Sequence, residues 1–293
     1  FPPPKRAAPP PGVSRRKAPA RYAEVHCRTN FSFLEGASHP DELVHTAAEL
    51  GYTALAITDR HSLAGVVRAH VAARDAGLKL LIGAEIRPVD SSPLVLWATD
   101  RAAYGRLARL ITLGCRRTEK GACELSFADV AAHSQGLLCG IPAAAPNAAE
   151  ALPECRAVFG DRLSLLAELS HGPNDARQLA EWQALARKSR VPLAAANDVH
   201  YHAPERQPLQ DVLTAVRHRT TVAEAAERGL LFPNAERCLL PVERLLERFH
   251  GRLRRPLEIW SHLAGTVIAG ALAWFSVRLA WQSHAFNDVS QGN

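Results

Sequence analysis

Six short apolar runs separated by helical patterns constrain this chain more than any other feature of its sequence. The runs are TALAIT (53–58), LKLLIGAEI (78–86), PLVLWAT (93–99), GLLCGI (136–141), LSLLAEL (163–169) and VPLAAAN (191–197). Each is rich in Leu, Ile or Val and lacks polar alternation, as strands buried on both faces do. Between them, Pro40–Leu50 carries Leu43, Val44, Ala47, Ala48 and Leu50 on one side and stops at Gly51. Ser38 is placed to cap it, with Asp41 at the positive end of the helix dipole. Val66–Ala76 ends at Gly77, Arg101–Leu113 at Gly114, and Asn174–Lys188 spaces Leu179, Trp182 and Leu185 helically. Strand–helix alternation of this kind predicts an α/β fold with a mainly parallel sheet. A closed barrel fits the strand count; an open doubly wound sheet is the rival.

The ends of the chain differ from its body. Residues 1–21 hold seven prolines and six Lys/Arg without an acid, which equals the whole net charge of +6. The body is therefore neutral overall, and a high pI is no sign of a general nucleic-acid binder. The first 21 residues read as a disordered, basic arm prone to polyproline II. They lack the apolar stretch of a signal peptide. Residues 22–250 form the expected domain. In 251–293 the pattern breaks: no residue from Ile259 to Val277 is formally charged, and Trp260, Trp274 and Trp281 cluster there. That tail is expected to be an atypical amphipathic helix rather than a membrane span, since polar residues interrupt it. The six cysteines form no C-x-x-C pair, consistent with a reducing compartment. The start at Phe1 and the absence of Met suggest a fragment, and the tail suggests a truncation or frameshift product.

In parallel α/β folds, chemistry gathers at the carboxyl ends of the strands. The residues found there are His26, Asp59, Glu85, His171, Asp198 and His200. In an extended strand, residues i and i+2 share a face. His26 would thus point with Arg28, and Asp198 with His200. A set of His and carboxylates suits Zn²⁺, Mn²⁺ or Fe²⁺, and clustered metals activate water against phosphoesters. No G-x-G-x-x-G, Walker A or G-x-S-x-G is present, so dinucleotide, ATP and serine-hydrolase chemistry have no motif.

The segments EVHCRTNFSFLEGASHPDELV, GYTALAITDRHSLAGVVRAH, LKLLIGAEIRPVD, PLVLWATDRAAYGRLARLIT and AANDVHYHAPERQPLQDVLTAVRHRTTVAEA resemble one known family. It is the N-terminal polymerase-and-histidinol-phosphatase (PHP) domain of bacterial C-family DNA polymerases. Within it they are more similar to the error-prone, damage-inducible polymerase than to the replicative subunit. The resemblance covers roughly residues 22–250 and implies a distorted (β/α)7 barrel with metal ligands at the strand ends. His26, Glu85, His171, Asp198 and His200 match the family's ligand positions. The family's H-x-H is here His26-Cys27-Arg28, its T-D-H is Thr58-Asp59-Arg60, and Pro93 stands where many members have a histidine.

Guanidinium groups at two ligand positions stay charged and repel a cation. The expectation is therefore a vestigial site that binds Zn²⁺ or Mn²⁺ weakly at most, its carboxylates neutralised by Arg28 and Arg60. Mg²⁺ would belong to the polymerase module of a full-length protein, which this chain lacks. The resemblance implies a part in DNA-damage-induced mutagenesis and translesion synthesis. It also implies a cytoplasmic location, a polymerase module and DNA as partners, and other translesion proteins beside them, with no membrane partner. The rival functions are a stand-alone metal-dependent phosphoesterase of the histidinol-phosphatase type, and a binding module whose basic arm touches phosphates.

Overall fold

A computed structural model describes residues 22–248. The basic arm and the 251–293 tail lie outside the described residues. The elements run β1 (Ala23–Glu24), α1 (Pro40–Glu49), β2 (Ala54–Ile57), α2 (Val66–Ala76), β3 (Lys79–Ile86), β4 (Leu94–Ala98), α3 (Arg101–Arg116), α4 (Phe127–Ala132), β5 (Leu137–Pro142), α5 (Ala148–Phe159), β6 (Leu163–Glu168), α6 (Asp175–Ser189) and β7 (Leu193–Ala196). Three more helices follow: α7 (Gln207–Arg217), α8 (Val222–Glu227) and α9 (Val242–Arg248).

The seven strands lie in sequence order. The first and last meet beyond their regular ends. Val199 N donates to His26 O at 2.9 Å and Arg28 N to Val199 O at 2.8 Å, around a parallel Cys27–Val199 bridge. The sheet is thus a nearly closed, distorted barrel, as the resemblance implies, and the open-sheet alternative falls. It is not uniformly parallel: β4 pairs antiparallel with both β3 and β5. The link from Ile86 to Leu94 is too short for a crossover helix, so the chain can only turn back. As a result β4 begins, rather than ends, on the side where its neighbours finish. Pro93 therefore stands at the same barrel end as Glu85.

Apolar side chains fill three places. One core lies between β3–β7 and helices α3–α6, with Leu107, Leu110, Phe159 and Leu165 fully or almost fully buried. A second joins α1 and α2 to β1, β2 and the returning segment 238–245. The third, inside the barrel, is Ala56, Val95, Trp97, Leu166 and Ala196. Trp97 fills the middle because Gly83 and Gly140 leave room. A Cβ on Gly83 would fall 2.9 Å from Trp97 Cδ1, and one on Gly140 would fall 2.4 Å from its far edge. The indole N–H donates to Val25 O at 2.8 Å, which ties β4 to β1 across the lumen.

Two expectations about helix ends need correction. Ser38 does not cap α1; its Oγ accepts from His202 N at 2.9 Å and lies 2.8 Å from His202 Nδ1. His39 is the cap residue, and its N–H donates to Glu42 Oε2 at 2.9 Å. Nor does α3 end at Gly114; it runs on to Arg116. Gly114 serves packing, since Leu125 Cγ lies 2.6 Å from where a Cβ would be.

Candidate functional site

The barrel mouth collects charge because β1, β3, β6 and β7 all end there. His26 and Arg28 alternate inward past β1, while Cys27 between them packs into the α1–α2 core. Glu85 closes β3 and Glu168 ends β6. After β7 the chain takes a left-handed turn at Asp198, φ 45°. Few residues with a side chain accept that conformation. Asp198 and His200 both enter the cluster, but through this turn rather than along a straight strand.

Arg28 is the hub. Its side chain is 6% exposed. Nε donates to Glu85 Oε2 at 2.8 Å, Nη2 to the same oxygen, and Nη1 to Asp198 Oδ1. Nη1 also lies 2.5 Å from His200 Nε2. That nitrogen must then be an acceptor, which leaves the His200 proton on Nδ1, 2.7 Å from Glu35 O. His200 is accordingly neutral; burial pulls its pKa down, against the pull of Asp198. His26 is the opposite case. Its Nδ1 is 2.6 Å from Glu168 Oε1 and its Nε2 3.3 Å from Glu85 Oε2, so both nitrogens donate. Burial disfavours the imidazolium, but Glu168 and Asp198 outweigh burial and the repulsion of Arg28, lifting the pKa to about 10. Burial would raise Glu85 and Asp198, yet Arg28 holds both carboxyls well below the usual range. Asp198 also has Arg237 at its second oxygen. Arg87 Nε caps Glu85 Oε1 at 2.5 Å.

The other predicted residues fare differently. Asp59 is fully buried beside the hub, but hydroxyls and an N–H hold it. Thr29 N and Ser32 Oγ each donate to Oδ1 at 2.7 Å, and Thr29 Oγ1 to Oδ2 at 2.9 Å. Burial raises its pKa. Arg60 does not neutralise Glu85 or Asp198; its guanidinium pairs with Glu35 on the rim, where Arg217 also reaches the same oxygen at 3.0 Å. His171 is exposed, with φ 60°, three residues beyond β6. No hydrogen bond of the cluster reaches it, and from the same strand Glu168 enters instead.

Glu168 is a residue the sequence reading passed over, although an acid inside the apolar run LSLLAEL was the available signal. Glu24 was also missed, because the two-residue β1 that carries it is too short to show as an apolar run. It is fully buried, and its Oε1 accepts from Val25 N, His26 N and Asn197 N at 3.0, 3.0 and 3.1 Å, while Tyr22 donates to Oε2 at 2.8 Å. With no cation bonded to it, burial pushes its pKa up to about 7. Arg217 and Arg237 come from segments without a strand-end mark, so no sequence signal singled them out.

The donor set does not fit a divalent metal. His26, Arg28, Arg87 and Arg237 place four cations around Glu85, Glu168 and Asp198, which already leaves one positive charge in excess. The Arg28 guanidinium stands between the two carboxylates a metal would share. Among the described residues no group of three or more His, Cys, Asp or Glu side chains is disposed to hold a metal ion. The arrangement can hold charge in a fixed lattice of ion pairs; it presents no open ligand position.

Comparison with known proteins agrees with the sequence resemblance. The PHP domain family matches residues 24–190. An error-prone DNA polymerase of Rhodopirellula baltica is 44% identical over 244 residues, covering 78% of this chain and 21% of that protein. The error-prone DNA polymerase of Aromatoleum aromaticum is 50% identical over 240 residues, covering 79% and 22%. The chain thus spans about a fifth of the length of these curated relatives. Among solved structures, a Bifidobacterium adolescentis protein described as a metal-dependent phosphoesterase aligns with a TM-score of 0.46 at 19% identity, covering 62% of this chain and 88% of that one.

Proposed function

This chain belongs to the PHP domain family, and from that premise we propose that it is the amino-terminal part of an error-prone DNA polymerase, acting as a non-catalytic barrel. In this reading the polymerase module packs on the barrel, and DNA is met through that module. The setting is damage-induced mutagenesis and translesion synthesis in the cytoplasm, alongside other translesion proteins. Among the described residues no helix is long and apolar enough to cross a membrane.

The observation that carries the non-catalytic reading is Arg28, buried between Glu85 and Asp198. A family site of metal ligands becomes a self-neutralised ionic plug, which rigidifies the mouth without a metal-bound hydroxide. Phosphoester hydrolysis with added Mn²⁺ or Zn²⁺, run beside Asp198→Ala, tests it. Activity at background in both proteins, with less than one metal equivalent per chain, is expected. Metal-dependent hydrolysis abolished by Asp198→Ala would establish the phosphoesterase alternative. Primer extension by this chain should also stay at background, because the family carries its polymerase carboxylates in another module.

A further inference from the structure

The segment after α3 brings two thiols together, away from the barrel mouth. Beyond Arg116 the chain doubles back, and Glu124 N donates to Gly114 O at 3.2 Å. Arg117 fixes the base of this loop by donating to both oxygens of Asp129, at 2.5 and 2.9 Å. Residues 115 and 123 are the first pair inside the tie. The Cys123 sulfur rests over Gly114, 2.5 Å from where a Cβ would stand. Cys115 is exposed and Cys123 half-buried, whereas Cys27, Cys139, Cys155 and Cys238 are buried. Burial pushes the Cys123 thiol up to about 12, and the neighbouring Cys115 adds to the rise.

We propose that Cys115 and Cys123 form an oxidisable dithiol, a modification site that closes to an intramolecular disulfide on reaction with a low-molecular-weight disulfide. The thiolate is the attacking form. Cys123 is half-buried, so the exposed Cys115 attacks first. It forms a mixed disulfide, and one small thiol leaves with the Cys115 proton. Cys123 then attacks the Cys115 sulfur. The Cys115–Cys123 bond forms, the mixed disulfide breaks, and the second small thiol leaves with the Cys123 proton. The two protein thiols are oxidised and one small disulfide is reduced to two thiols. Side-by-side placement is what this bond requires. The closed loop would pin the end of α3 to the strand-like approach to α4, where Leu125 O accepts from Val89 N at 2.9 Å.

The full chain, reduced and desalted, is incubated with oxidised glutathione, quenched with an alkylating reagent and weighed intact. The wild-type protein is expected to lose two hydrogens and two alkylatable thiols while keeping no glutathione. Cys123→Ser should instead retain one glutathione, on Cys115. Cys115→Ser should react about tenfold more slowly than wild type, since its remaining thiols are shielded. The proposal is overturned if wild-type Cys115 and Cys123 both stay alkylatable, if the wild type stops at a stable glutathione adduct, or if the two-hydrogen loss persists in Cys123→Ser.

Discussion

Arg28 and Arg60 sit just beyond consecutive strands at the same barrel mouth, yet only one of them enters the barrel. Past β1 the chain stays paired to Val199, so the alternation points His26 and Arg28 inward. Past β2, Asp59 is held by Thr29 and Ser32 instead of entering the hub. Arg60 is held by backbone pairing with Glu85 and by its N–H donating to Ser32 Oγ at 3.0 Å, and its side chain turns to the rim. The side chains are 6% and 36% exposed. Similar residues at similar places in two strands therefore hold different parts of the structure. Arg28 neutralises two buried carboxylates, and Arg60 shares one carboxylate with Arg217.

The largest expected effect separates the two positions by stability. Arg28→Met leaves Glu85 and Asp198 buried with less compensation and should cost about 3–5 kcal/mol in urea unfolding. A cost near that of a surface pair would break the comparison. Replacing Arg28 and Arg60 together by His should turn the mouth from repelling to binding Mn²⁺, seen as at least one retained equivalent after gel filtration. If Arg28→His alone gives the same result, the contrast is sharpened, because only the inward arginine then blocks the metal.

A third effect compares two acids. Arg28 lowers Glu85 and Asp198, so their stabilisation is present above the ordinary carboxylate range and lost as pH falls below that range towards their lowered pKa. Burial raises Glu24 from 4.5 to about 7, so its contribution is full below 4.5 and lost as pH rises to about 7. His26, raised from 6.5 to about 10, contributes fully below 6.5 and less as pH climbs towards 10. Stability should thus fall from about pH 5 upward, with a slope approaching ~1.4 kcal/mol per unit for each proton. Glu24→Gln keeps the acceptor oxygen and should make the decline below pH 7 shallower, leaving the parts that belong to Asp59, which burial also raises, and to His26. In Arg28→Met the loss on the acid side should become shallower. Unfolding curves at intervals from about pH 2 to 10 measure all three.

The smallest effect belongs to Arg60→Ala. Its partner Glu35 keeps Arg217 at 3.0 Å, and the pair is partly exposed, so the change should cost no more than about 1 kcal/mol. A loss comparable to that of Arg28→Met would mean that the rim and the hub form one network.

Much of this was legible in the sequence, for a definite reason. Strands buried on both faces have to be apolar runs, and helices between them need an apolar stripe. The six runs therefore mark β2–β7 and the four helical patterns mark α1, α2, α3 and α6, while the polar termini of the runs mark the mouth. Where the reading failed, the answer depended on which side of a backbone a residue fell. Glu168 lay inside a segment read as strand, Glu24 lay before the first of them, and His171 lay in the loop beyond one.

The sequence by itself determined the alternating elements, the gathering of His26, Glu85, Asp198 and His200, and the arrival of arginine where the family has ligands. Only the tertiary structure decided that β4 runs backwards, that Glu168 takes the place sought for His171, and that Arg28 binds inside while Arg60 binds at the rim. The first set follows from local rules of burial and period, which act within a few residues. The second depends on closure between β1 and the end of β7, some 170 residues apart, as the Arg28–Asp198 pair is. Closure fixes which side chains point inward, and charge then pairs with whatever opposite charge it finds there.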